Sequence, residues 1–206
     1  AAIRAGLGIG ADTLVAIKVA NLNSYKGHAD LIAGLGGIKQ RMPPSWLVLL
    51  VGRDRGIQAA LEAEVRRQGI GANVRFLGAR TDVADLLAAS DLGVLCSHEE
   101  GFSNAIIESM AAGLAMVVTD VGGNPEAVVH GETGIVVPPR SPAALGEAIA
   151  ALAGDGERRR RLGAAGRKRA ETLFTMAGCI DRYEALYLGM LAGKPLADIA
   201  EVAIEQ

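Results

Sequence analysis

The chain has 206 residues, is 50% hydrophobic and 21% charged, and carries a net charge of −2. That length allows one generous domain with a substantial core, and half the residues being apolar excludes intrinsic disorder. The near-neutral balance lacks the basic surplus of a dedicated nucleic-acid binder, and no apolar run approaches the roughly 18 residues of a membrane helix.

In chain order, strands and helices alternate. Leu14–Ala20 is an apolar, β-branched run, read as a strand. His28–Ile38 follows with Leu31, Ile32, Leu35 and Ile38 at helical spacing. Trp46–Val51 is a strand apolar on both faces, as in a covered parallel sheet. Gln58–Gln68 is a helix, Asn73–Leu77 a strand, and Asp82–Ala89 a short helix with Val83, Leu86 and Leu87 on one face. Asp91–Cys96 is the fourth strand. In the next helix, Ser103–Ala112, the expected stripe is Ile107, Met110 and Ala111, continuing to Leu114. Ala115–Thr119 and Ile135–Val137 are the fifth and sixth strands, with a short helix at Pro125–Val129 between them. Ser141 as N-cap and Pro142 at the first position open a helix that Gly154 ends. The rest reads as helical, Glu157–Leu173 and then Met176–Leu191. Ile180, Tyr183, Tyr187 and Met190 form the apolar stripe of the last helix, and the tail from Gly193 is ambiguous.

The expected fold is therefore α/β: a single Rossmann-like, doubly wound parallel sheet of about six strands. Its core runs over about 12–155, with extra C-terminal helices over about 156–206. The first residues read as the interior of a longer chain, so a fragment is expected. Cys96 and Cys179 fit no metal spacing or disulfide framework; Cys96 reads as a small buried hydrophobe. The run Arg158–Arg161 reads as a solvated helix face, or alternatively as an anion patch.

In such a sheet ligands bind beyond the carboxyl ends of the strands. The loops there are Asn21–Lys26, Gly52–Gly56, Gly78–Thr81, Ser97–Asn104 and Asp120–Asn124. Ser97–Asn104 leads into a helix N-terminus, whose free N–H groups and dipole favour an anion or a sugar hydroxyl oxygen. Gly101 permits close approach, and Glu100 and Glu108 could hold two groups of one ligand. The competing reading makes Ser103 a cap and both glutamates solvated. Lys26 precedes a helix at the same crevice and could meet a phosphate; a plain surface lysine is the alternative. Gly122 and Gly123 suit either a ligand's approach or a sharp turn.

Several motifs are absent. The chain has no P-loop, no Gly-x-Ser-x-Gly elbow, no His/Cys cluster and no Asp-x-Asp pair. Gly6–Gly10 precedes the first strand, which excludes a dinucleotide fingerprint. His28, His98 and His130 are scattered and read as structural or surface residues.

Five segments in one order carry a resemblance: VANLNSYKGHADLI, LVLLVG, VRFLG, the stretch from Asp82 through Val128, and GETGIVVPP. Over roughly residues 4–190 the chain resembles the C-terminal, donor-binding half of retaining glycosyltransferases of the GT-B fold, in the family called group 1 or family 4. The family's two glutamates separated by seven residues read here as Glu100 and Glu108. The resemblance implies that Glu108 holds the ribose hydroxyls of a nucleotide diphosphate sugar. It implies that Glu100, with the loop Gly101, Phe102, Ser103 and Asn104, meets the sugar or its phosphate. Lys26 then neutralises the diphosphate, so Lys26 and Glu100 are the catalytic candidates, and Gly52, Arg53, Phe76, Leu77 and Arg80 join the donor site. Asn21 stands where the family often has an arginine, which shifts charge onto Lys26, the helix N-terminus, Arg53 or Arg80.

The implied reaction is sugar transfer to a hydroxyl acceptor with retention, without a metal or other cofactor. The acceptor would sit on an N-terminal domain absent from this chain. Expected with it are a cytoplasmic setting, peripheral membrane contact of the longer protein, self-association through the last helix, and no nucleic-acid partner. The alternatives are a degenerate nucleotide-binding or interaction module of the same fold and, behind it, a nucleotide-sugar epimerase.

Overall fold

The apolar runs pair into one sheet. In the computed structural model, which describes residues 2–195, its strands are β1 (Leu14–Val19), β2 (Trp46–Val51), β3 (Val74–Gly78), β4 (Leu92–Leu95), β5 (Ala115–Thr119) and β6 (Gly134–Val137). Every pairing is parallel, in the order β3-β2-β1-β4-β5-β6. The order grows outward from β1 in both directions, so the switch point lies between β1 and β4. This is the six-strand doubly wound sheet expected from the alternation. Every residue of β2, β4 and β5 is buried, as strands covered by helices on both faces must be.

The helices are α1 (Ala2–Gly6), α2 (His28–Ile38), α3 (Gln58–Gln68), α4 (Val83–Ala88), α5 (Asn104–Ala111), α6 (Asn124–Ala127), α7 (Pro142–Ala153), α8 (Gly156–Leu173) and α9 (Met176–Leu191). The first was not expected from the sequence; Arg4 anchors the segment by donating to Ala89 O at 3.1 Å and to Thr13 O. Boundaries elsewhere move by one or two residues, for instance at β3, where Asn73 instead closes a 3-10 turn. Residues 196–206 of the ambiguous tail lie outside the described residues.

Three expectations need correction. In α5 the buried face is Ile106, Ser109 and Met110; Ile107 is half-buried and Ala111 exposed. Two adjacent isoleucines made both phases fit the pattern. Ser141 and Ser103 stand at N-cap positions, but neither side chain makes a capping hydrogen bond. Arg159 is not part of a uniformly solvated face. It folds back on the end of α7, donating to Leu152 O and to Ala153 O at 2.9 Å, and burial pulls its guanidinium below the usual arginine value.

Helices α2 and α7 meet through glycine. A Cβ on Gly34 would lie 2.6 Å from Pro142 O, and one on Gly146 2.8 Å from Gly34 O. Bare backbone is what lets these two helices touch.

The chain divides into two compact units, residues 1–168 and 169–206, and the boundary falls within α8. In the second unit, Thr175 caps α9 by accepting from Gly178 N–H at 3.1 Å. The stripe of Ile180, Tyr183, Tyr187 and Met190 is more than half exposed, with the two tyrosine rings stacked 6.2 Å apart. No helix among the described residues is long and apolar enough to cross a membrane.

Candidate functional site

Hydrogen bonds tie all five loops beyond the carboxyl ends of the strands to a neighbouring loop. At the switch point, His98 N–H donates to Tyr25 O at 2.7 Å, and Cys96 Sγ lies 3.1 Å from Gly27 O. Gly27 adopts a φ of 68°, and a Cβ there would fall 1.8 Å from Cys96 O. The turn before α2 is thus pressed against the end of β4. On the β2 side, Asn21 Oδ1 accepts from Arg53 N–H at 3.0 Å and Gly52 N–H donates to Gly78 O at 2.9 Å. On the β5 side, Gly123 N–H donates to Gly101 O at 2.6 Å.

Lys26 and Glu100 meet. Lys26 Nζ lies 2.6 Å from Glu100 Oε1, and both side chains are largely buried. Ser97 Oγ donates to the same oxygen at 2.7 Å. One carboxylate oxygen therefore takes an ammonium and a hydroxyl, a strong charge-assisted arrangement. Lys26 is not a free surface lysine, and Glu100 is not solvated. Glu108 projects from α5, exposed and without an ion pair among the described residues. Gly101 and Asn104 are exposed, and a Cβ on Gly101 would meet nothing within 4 Å. Phe102 is 46% exposed.

Gly122 and Gly123 have a packing role. A Cβ on Gly122 would lie 2.0 Å from Glu100 O, and one on Gly123 2.6 Å from the Phe102 ring. These glycines let the 120–124 loop lie flat against the 100–102 loop.

At the ends of β1 and β2 lies a cleft of about 480 Å³, lined among others by Asn21, Gly52, Arg53, Arg55 and Arg80 but not by Lys26 or Glu100. Arg80 is fixed by a two-pronged pair with Asp82, at 2.8 and 2.6 Å. Asp54 closes the turn before α3, accepting from Gly56, Ile57 and Gln58 N–H; against the opposing effect of desolvation these bonds hold its carboxyl below the usual value. Phe76 and Leu77 do not line the cleft; Phe76 packs against the core from the edge strand β3. The expected donor residues thus fall into two groups, Lys26 with the Glu100 loop and Asn21 with the arginines, while Phe76 and Leu77 stand apart.

Three residues escaped the sequence reading. Arg55 lines the cleft, and its only signal was its place in a strand-end loop. Asp30 Oδ2 pairs with His98 Nε2 at 2.7 Å across 68 positions, a contact no local pattern announces. Lys18 is fully buried in β1. Among the described residues no group of three His, Cys, Asp or Glu side chains could hold a metal ion.

His28, at the start of α2, is 1% exposed, and neither ring nitrogen has a partner at hydrogen-bond geometry. Burial first and the charge of Lys18 second push its imidazole down to about 3; the backbone of Asn23 and Ala20 offsets this only in part. The folded chain therefore keeps His28 neutral. Above pH 6.5 this has no effect on stability. Below it, the unfolded chain takes up a proton that the folded chain refuses until about pH 3. Stability should fall by about 1.4 kcal/mol per pH unit across that window. Urea midpoints measured from pH 7 to pH 4 should drop more steeply in the parent than in His28→Gln; equal slopes would contradict this account.

Comparison with known proteins identifies the family. The model of a family described as "Glycosyl transferases group 1" matches residues 1–169. The N-acetyl-alpha-D-glucosaminyl L-malate synthase of Bacillus anthracis is 30% identical over 184 residues, covering 89% of this chain and 48% of that protein. The sucrose-phosphate synthase of Thermosynechococcus elongatus superposes with a TM-score of 0.82 at 31% identity, over 93% of this chain and 49% of that one. HepE of Anabaena, solved with UDP and glucose, gives 0.83 at 29% identity, over 92% of this chain and 51% of that one. The chain spans about half the length of the curated relatives it matches.

Proposed function

Since the chain belongs to the group 1 glycosyl transferases, we propose that its crevice is the donor half of a sugar-transfer site in a longer protein. The donor is a nucleotide diphosphate sugar, and the acceptor a hydroxyl compound held by the part of the relatives that this chain does not match. The carrying observation is the Lys26–Glu100 pair at the switch point, next to the N-terminus of α5. HepE, a structural neighbour at 29% identity, was solved with UDP and glucose.

The chemistry follows from the charges. When the bond between sugar and diphosphate breaks, negative charge builds on the departing phosphate oxygens. The Lys26 ammonium and the first N–H groups of α5 stabilise that charge, with no metal required. Glu100 orients Lys26 and meets the sugar hydroxyls once the donor displaces part of the pair. Glu108 takes the ribose hydroxyls. Arg53, Arg55 and Arg80 make the neighbouring cleft attractive to the rest of the nucleotide. Positioning roles for both glutamates fit transfer with retention through an ion-pair-like state rather than a carboxylate nucleophile. A nucleotide-sugar donor places the work on the cytoplasmic side, and the exposed α9 stripe is the surface for the missing part or for self-association.

A second reading keeps the nucleotide but not the catalysis. Asn21 commits its side-chain oxygen to Arg53 N–H, and brings no charge where the family often has an arginine. Ligand-detected NMR of the chain against UDP, GDP and ADP tests both readings. One nucleotide should bind in preference, and phosphate removal should weaken it. No binding of any of the three would count against a donor site in this chain.

A further inference from the structure

Lys18 has no part in the site described so far. It is the fifth residue of β1, an otherwise apolar strand, and none of its surface reaches solvent. A buried ammonium normally faces a carboxylate. Lys18 does not. Its Nζ donates to Cys96 Sγ at 3.5 Å, and it makes no ion pair among the described residues. The thiol is a poor partner, because burial pushes it up and keeps it protonated. Asp30, on α2, is engaged by His98, and Lys26 by Glu100. The charge of Lys18 is left without a matching partner.

Its position gives that charge a use. Cys96 Sγ lies 3.1 Å from Gly27 O and 3.9 Å from Lys26 O. The Lys18 ammonium is therefore one thiol below the turn that carries Lys26. An apolar side chain of the same length would serve the core at least as well, since burying a charge costs free energy that packing alone does not require. Departures of this kind from core rules gather at functional sites.

We propose that Lys18 is a buried electrostatic anchor for an anionic diphosphate. From beneath the turn that carries Lys26 it raises the affinity for the diphosphate held there without touching it. The inference rests on the donor reading. Its field is felt because little water lies between the buried ammonium and the turn above. Lys18 is in this sense a positioning residue, and Lys26 the group in contact.

The test is Lys18→Met in the 206-residue chain, titrated with UDP, uridine and inorganic pyrophosphate. UDP and pyrophosphate affinities should fall about tenfold, uridine affinity should stay the same, and the thermal midpoint should hold or rise. Lys18→Leu provides a second variant if the first folds poorly. A merely structural lysine would shift the midpoint and leave the UDP-to-uridine ratio alone, and that result overturns the proposal while sparing the donor reading. A parent that binds pyrophosphate but shows no preference for UDP would overturn the donor reading; a loss of pyrophosphate binding in Lys18→Met would still uphold the anchor. A parent that binds neither UDP nor pyrophosphate overturns both.

Discussion

Replacing Lys26 by methionine in the longer protein should lower turnover by about 10²–10³-fold, the loss typical of removing one group aimed at developing negative charge. Stability should fall as well. Glu100 would keep the Ser97 hydroxyl but lose the ammonium 2.6 Å away, while remaining largely out of water. Stranding one partner of a fully buried pair costs about 3–5 kcal/mol, and the remaining hydroxyl and partial exposure should hold this case to about 2–3 kcal/mol. The two effects separate in the double variant Lys26→Met with Glu100→Gln. Glutamine keeps the shape, removes the stranded charge and can still accept from Ser97, so most of the stability should return. Turnover should not return, because the departing diphosphate would still lack its cation. Urea denaturation and donor turnover on the three proteins decide the matter. A double variant that recovers activity along with stability would make the pair a structural clasp and nothing more.

The legible and the illegible parts of this molecule differ in a physical way. Trp46–Val51 was readable because six consecutive apolar residues between turn signals have few folds open to them other than a covered strand. Pro142 marks the start of α7 through backbone geometry, which is local and so visible in one chain. The phase of α5 was not visible, because Ile106 and Ile107 are adjacent and either can face the core. Contacts made across long stretches of sequence were also hidden. Lys26 and Glu100 are 74 positions apart; the strand-end rule put both at one crevice, but neither it nor the family resemblance announced that they pair. Asp30 and His98 had no such guide. Lys18 has a long aliphatic stem that sits easily in a strand, so nothing local distinguished a buried lysine from one at a solvated edge.

Glu108→Ala should produce the opposite profile from Lys26→Met. Glu108 is exposed on α5 and makes no ion pair among the described residues, so its loss should change stability by no more than about 0.5 kcal/mol. Its carboxylate is free to accept two hydroxyl groups at once, and charge-assisted hydrogen bonds of that kind are worth about 1.5–3 kcal/mol each at best. Removing it should lower kcat/KM of the longer protein by about 10²-fold. The pattern across ligands identifies the group it touches. A carboxylate on the ribose acts on any ligand with a sugar ring next to the base, so UDP and uridine should weaken together while pyrophosphate is untouched. Lys18→Met should do the reverse, sparing uridine and weakening both diphosphates. Two substitutions, one buried in β1 and one exposed on α5, would thus map the phosphate end and the nucleoside end separately. If Glu108→Ala leaves the longer protein fully active, the glutamates do not form a donor site, and the module reading, with Asn21 in place of a cation, takes precedence.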